Sequence, residues 1–349
     1  MTMVINSGIS QAEALVYNTA IQEGLQAAAS SITDIQAPKI ALTRSVSFGG
    51  SDPMSKKVPN EIFFPFAPPT ARAESVANQD RAFNPLVRNS ARLAIEPYSA
   101  GYSIKRKDFY NDIYGTLANV PRNIARAMLK LPDQLLARLL RNGKTTLDYT
   151  GTFAFSATKP KSVNGAISGT YSNLYTGRQL TAQNLSFVVS EMMARVNEDG
   201  LNYGIVPDTL IVPSNLYGAA IQATQMRNNV YSGTAGAGNL WPGQANNTAA
   251  VGDNWVAHTG FIKEVIVLPE LVDGGAGIDT TTWYVAETQN PAHGGAVGLL
   301  LAIEEGFEFL TNLAPSDPTV FLKNEFAWAG ERYAGVGYGL TAFLSRCEQ

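Results

Sequence analysis

Histidine and cysteine are almost missing from this chain. Only His258 and His293 occur among 349 residues, and neither stands with carboxylates at the spacing a metal site needs. A Ser-His-Asp arrangement would have to use one of these two, and no serine lies in a Gly-x-Ser-x-Gly setting. The stretch from His293 to Gly298, HGGAVG, imitates a lipase oxyanion loop, but an Ala/Gly turn accounts for it better. Cys347 is the single cysteine, which excludes an intramolecular disulfide framework and fits a reducing compartment. A phosphate-binding Gly-x4-Gly-Lys-Ser/Thr loop is absent, and no Gly-x-Gly-x-x-Gly opens a helix after a strand, so nucleotide binding has no support. No apolar run is long enough to span a bilayer. The first residues lack the positive-then-apolar order of a secretory signal. Charge is scarce too, at 16% of residues against a usual value of about 25%. So little charged surface suits a protein that covers much of itself with neighbours. The net charge of −3 argues against a chain that is basic overall. Neither cofactor, metal nor enzymatic turnover is expected.

What is present begins with a long helical pattern. From Val120 to Lys144, Ile124, Met128, Leu131, Leu135 and Leu139 recur every three or four residues, and Leu136 and Leu140 widen that stripe. Pro121 is tolerated in a first turn, and Asn142-Gly143 reads as a left-handed stop. Such a helix is about 33 Å long. Pro132 removes one backbone bond and predicts a bend before Asp133. The outer face carries Arg122, Arg126, Lys130, Arg138, Arg141 and Lys144, with Asp133 as the one acid set against them.

Residues 1–37 form an Ala-rich, helix-compatible arm with a weak stripe through Ile5, Ile9, Ala12, Leu15 and Val16, ended by Pro38. Residues 38–100 open on strand-like alternation that stops at Gly49-Gly50. A stretch with six prolines and little period follows, from Ser51 to Leu86. Phe63, Phe64, Phe66 and Phe83 within it need somewhere dry to sit, so an extended arm packing on a neighbouring copy is expected. Alternation returns with Leu93, Ile95, Tyr102 and Ile104. Residues 145–179 read as loops or small hairpins. Thr181 caps a helix running to Asn197, with Leu185, Val188, Val189 and Met192 on one face. A short buried strand at Leu210-Ile211-Val212 leads to a helix from Asn215 to Gln225. Residues 226–260 read as a long surface loop. Three strand-like stretches follow, the last two meeting at a turn from Pro291 to Gly295, so 180–310 reads as a compact α/β unit. Glu304, Glu305 and Glu308 read as exposed strand-edge charges. Phe326, Trp328, Tyr333, Val336 and Tyr338 mark closing strands.

The order of these pieces resembles the major head subunit family of Mu-like tailed phages. The residues concerned are Pro132-Asp133 and Gly143, a loop with Tyr149, Gly151, Phe153 and Phe155 closed by Pro160, Glu198-Asp199-Gly200, and the strand from Pro207 to Pro213. The closing residues Phe321, Lys323-Asn324, Glu331-Arg332-Tyr333-Ala334, Tyr338 and Ala342 are similar to the last segment of Hong Kong 97-type capsid proteins. Together the two matches cover about two thirds of the chain.

The resemblance implies an α+β, Hong Kong 97-type capsid fold. Its parts would be an N-terminal arm (1–37), an extended two-stranded E-loop with flanking strands (38–100) and a P-domain (101–179) with a long spine helix at 120–143. An A-domain (180–310) and C-terminal strands returning to the P-domain (311–349) complete it. The function implied is that of the major capsid protein of a tailed bacteriophage, assembled in the host cytoplasm and located in the virion. Hexamers and pentamers of it would close an icosahedral shell around double-stranded DNA. An encapsulin-like nanocompartment shell is the alternative. Implied partners are further copies, a separate scaffolding protein, a portal and the packaged DNA, with room for a decoration protein and no membrane. Inter-subunit contact is expected from Phe63, Phe64, Phe66, Phe83, Arg122, Arg126, Arg138 and Arg141. The basic face is expected to meet acidic edges such as Glu304 and Glu305 of another copy in preference to DNA. In some related shells an arm lysine bonds covalently to an asparagine of another copy, with a glutamate as base. The matching positions are Lys56 or Lys57, Asn324 and Glu331. The competing reading has Asn324 bonding backbone and Glu331 pairing with Arg332.

Overall fold

The structure, a computed structural model, describes residues 35–46, 61–65, 90–110, 120–161, 168–196, 200–225, 228–230, 251–272, 280–289, 298–304, 306–312 and 317–349. In chain order the elements are α1 (Ala37–Ile40), β1 (Leu42–Val46), β2 (Glu61–Pro65), β3 (Ser90–Ala94), β4 (Glu96–Lys105), α2 (Arg106–Tyr110) and α3 (Val120–Asn142). Next come β5 (Lys159–Pro160), β6 (Thr170–Tyr171), β7 (Leu174–Tyr175), α4 (Ala182–Met193), β8 (Thr209–Val212), α5 (Tyr217–Gln225), β9 (Asn228–Val230), β10 (Val251–Asp253) and α6 (Trp255–Thr259). The chain closes with β11 (Glu264–Val267), β12 (Trp283–Ala286), β13 (Leu299–Glu304), β14 (Glu308–Asn312), α7 (Pro318–Lys323), β15 (Glu325–Tyr338) and β16 (Leu344–Cys347).

Two sheets carry these elements. In the first, β15 is the axis. Its 14 residues pair antiparallel with β4 along one edge, and with β14 and then β13 along the other, while β1 runs parallel outside β13. In the second, the order is β11-β8-β12-β16-β7. All four residues of β8, β12 and β16 are buried, as central strands covered on both faces require.

The long helix forms as the periodicity predicts and spans 23 residues. Ile124, Ala125 and Met128 lie against the inner face of β15, whose Phe326, Trp328 and Gly330 alternate inward. At Gly330 a side chain would come within 2.8 Å of Ile124 and 2.9 Å of Met128, so the helix rests nearly on the strand's backbone. Leu135, Leu136 and Leu140 join Phe155, Tyr284 and Leu301 in the largest core, which spans both sheets.

Several sequence expectations need correction. Pro38 sits in the first turn of α1, where a proline has no helical N–H to lose. Residues 1–34 and the turn from Pro291 to Gly295 lie outside the described residues. The helix capped by Thr181 stops at Met193, not Asn197. β12 and β13 do not meet as a hairpin: β13 and β14 leave the 180–310 unit for the first sheet, where the backbone groups of both pair antiparallel with β15. Conversely β16, with residues buried on both faces, is inserted between β12 and β7 in the second sheet, so that of the closing strands only β15 belongs to the helix's own sheet. Gly143 is not left-handed. It is required because a Cβ there would lie 2.3 Å from the Phe155 ring and 2.5 Å from the Tyr338 hydroxyl. Gly143→Ala is therefore expected to destabilise the subunit by about 1–3 kcal/mol through overpacking, read as a lower urea midpoint at unchanged slope.

Candidate assembly surfaces

The helix face comes first. Arg122, Arg126 and Arg138 are exposed and Arg141 is half-buried, while Asp133, expected among them, is fully buried. Its carboxylate accepts the backbone N–H of Ala37 at 2.7 Å and of Gln36 at 3.0 Å. α1 has no side-chain cap of its own, so Asp133 supplies that cap from another element. Lys130 follows it inward, 3.5 Å from Asp133 and 4.0 Å from Glu270. At the C-terminal end the Arg346 guanidinium donates to the carbonyls of Leu140 (3.0 Å) and Arg141 (2.7 Å), a cation where the helix dipole is negative.

Of the acidic edges expected to receive these arginines, Glu304 is half-buried and accepts the N–H of Tyr333 at 3.2 Å within its own chain. Glu305 lies outside the described residues. The unexpected acidic feature is a cross-strand pair. Glu308 stands in register with Glu331 on the outer face of the first sheet, the side away from the helix. Glu331 and the other carboxylates nearby hold the Tyr333 phenol above its usual pKa.

The second surface is the arm. β2 and β3 pair antiparallel, which places Phe63 opposite Arg92 and Phe64 opposite Ala91 in the backbone register. Phe66, Phe83, Lys56 and Lys57 lie outside the described residues. Among the described residues no third strand joins this ribbon, and two strands alone are marginal in water. Its root is fixed to the body: Leu93 is buried with Leu300 and Ala302. Gly335 lets the Ala94 carbonyl cross β15, since a Cβ there would lie 2.2 Å from that oxygen.

Asn324 takes a left-handed conformation with φ 55° between α7 and β15, and its carbonyl accepts the N–H of Arg106 at 3.0 Å. Glu331 lies seven residues along the extended strand, about 23 Å away at the rise of a β-strand. The two therefore do not meet in one copy, and any bond uniting them with a lysine would join different copies. Nor does Glu331 pair with Arg332, because alternation sends Arg332 to the inner face. There it donates to the carbonyls of Met128 (3.0 Å) and Glu304 (3.0 and 3.1 Å).

Sequence reasoning missed the buried polar anchors. Lys159 and Asp148 form an ion pair with both side chains fully buried. Thr341 also donates to Asp148, and burial pulls the Lys159 pKa down against the pull of Asp148. Asp208, inside the PDTLIVP stretch, accepts the N–H groups of Thr288 and Gln289, both at 2.8 Å, and so ties β8 to the end of β12. A charge flanked by strand residues was the available signal. Among the described residues no cluster of potential metal ligands occurs and no helix is long and apolar enough to cross a membrane.

A family model described as phage capsid protein matches residues 89–341. No curated protein matches the chain. Among solved structures, the procapsid of bacteriophage JBD30 is 12% identical with a TM-score of 0.50, covering 98% of this chain and 76% of that one. Gordonia phage Cozz is 11% identical with a TM-score of 0.47, over 90% of this chain and 85% of that one. The mature capsid of bacteriophage PhiM1 is 12% identical with a TM-score of 0.48, over 91% and 87% respectively.

Proposed function

Because this chain belongs to the phage capsid protein family, we propose that it builds a tailed-phage head as hexamers and pentamers closing an icosahedral shell around double-stranded DNA. It is a major capsid protein with the Hong Kong 97-type fold, a component of the virion. The Mu-like branch is our finer reading and rests on the order of Pro132-Asp133, Gly143 and the Pro207–Pro213 strand. The role assigned to the chain is assembly, not turnover.

The observation that carries this reading is the β2–β3 ribbon, rooted in the body at Leu93 and lacking a third strand among the described residues. An arm of this kind gains stability by lying on a neighbour, and repetition of weak contacts closes a shell. We assign α3 and the first sheet to the peripheral body, and the second sheet with α4, α5 and α6 to the capsomer centre. Phe63, Phe64, Phe66 and Phe83 are the proposed inter-subunit anchors. A separate scaffold and a portal complete the assembly. Covalent bonding through Lys56 or Lys57, Asn324 and Glu331 belongs to this reading as an option. Boiled particles running only as monomer on SDS electrophoresis would end it.

Expressed full-length protein is expected to sediment as shells holding nuclease-protected DNA when they are made in an infected cell. A variant with residues 62–92 replaced by a short Gly-Ser turn should stay folded by circular dichroism yet remain at subunit size. Shells of normal size from that variant would contradict the proposal, and shells holding protein cargo instead of DNA would favour a nanocompartment.

A further inference from the structure

The helix face and the sheet's outer face carry opposite charge on opposite sides of one body. Ile124 points into the sheet. Arg122 and Arg126 each stand two residues from it, about 200° around the helix, so both project away from the sheet. They are exposed, and among the described residues neither has an acidic partner. Arg138 is exposed too, but it stands 14 residues from Ile124, about 40° from it around the helix, and so lies on the sheet side, near enough to Tyr98 of β4 to lower its pKa against the stronger effects of burial and Glu96. The neighbours Asn123 and Gln134 are neutral, and Asp133, the helix's only acid, is buried under α1. The exposed face of α3 is thus purely basic in a chain whose net charge is −3. On the far side, Glu308 and Glu331 stand side by side although like charges directly opposite repel.

We propose that Arg122 and Arg126 of α3 bind the phosphates of the packaged double-stranded DNA, and that this face is therefore the inward side of the subunit. The inference rests on the shell reading above. In a shell one subunit thick, the two faces of this body cannot meet each other's copies laterally; one faces in and one faces out. Glu304, the expected receptor on a neighbouring copy, is held by Tyr333 of its own chain. A polyanion inside the shell meets the arginines without any such receptor, and its repulsion places Glu308 and Glu331 outside. Lys130 and Lys144 are excluded from the contact because they pair with Asp133 and Glu348.

The test uses unassembled full-length subunits and a fluorescent linear DNA duplex, with affinity followed against salt. Each phosphate contact adds about 0.9 to the slope of log K on log salt. The double variant Arg122→Ser, Arg126→Ser should lower that slope by about 2. The corresponding Arg→Lys double should keep it, and Glu308→Gln with Glu331→Gln should leave it unchanged. The Arg→Ser double should still sediment as normal shells. An unchanged slope, or no salt-dependent binding by the parent, overturns the proposal. Loss of shells by the Arg→Ser double also overturns it, making the arginines contacts between copies. Failure of the parent to form shells sinks the shell reading instead.

Discussion

Arg332→Met should lower the stability of the unassembled subunit by about 3 kcal/mol. The reason starts at Pro132, which has no N–H to give the Met128 carbonyl one turn earlier. That carbonyl is left open inside the body, and Arg332 fills it from β15 at 3.0 Å while also holding the Glu304 carbonyl at the end of β13. One guanidinium therefore joins helix and two strands at the point where the helix ladder is interrupted. Methionine keeps much of the volume but strands the buried Met128 carbonyl, at about 1–3 kcal/mol, and the part-buried Glu304 carbonyl at a lower cost. Relief of a buried charge offsets part of this. The decisive measurement is a double-mutant cycle in urea. Pro132→Ala restores an N–H for Met128, so Arg332→Met should cost about 1–2 kcal/mol less in that background. Zero coupling would show that Arg332 acts elsewhere.

The second large effect is expected at Asp133. Asp133→Ala leaves the Gln36 and Ala37 N–H groups without their acceptor in a buried site, for a loss of about 2–4 kcal/mol. Limited proteolysis near residue 36 should detect release of α1 from the helix. The pH dependence carries a definite sign. Burial raises the Asp133 pKa above the usual carboxylate value, and outweighs the lowering by the two N–H donors and Lys130. The folded state thus holds this proton more tightly than the unfolded one. Its contribution is greatest below the unfolded pKa and falls as pH rises through the raised folded value. Asp133→Asn keeps an acceptor but removes the titration, so stability across that window should lose this downward slope. An Asn variant with the parent's slope would refute the assignment.

Much of the body was legible from spacing. The apolar stripe of the long helix follows from a 3.6-residue period, and the inward set of β15 from a period of two, so Ile124, Leu135, Phe326 and Trp328 took their expected places. The buried strand Leu210-Ile211-Val212 was foreseen, whereas the strand Glu61–Pro65 lies in a stretch that showed little period. Position 143 was chosen correctly for the wrong reason, since a ring contact from Phe155 decides it and not backbone handedness. The charged residues were read least well. Asp133 on a basic face looked solvated, and Glu331-Arg332 looked like a pair.

The sequence by itself determined the long helix and its apolar stripe, the alternation of the closing strand and the buried strand at Leu210-Ile211-Val212. These are local properties, set by periodicity and composition. Only the tertiary structure decided that β13 and β14 join the helix's sheet, that β16 crosses to the other, and that Arg332 answers Pro132 from 200 residues away. Such pairings depend on which unsatisfied backbone groups and apolar edges come together once the chain is compact, and no window of sequence contains both partners.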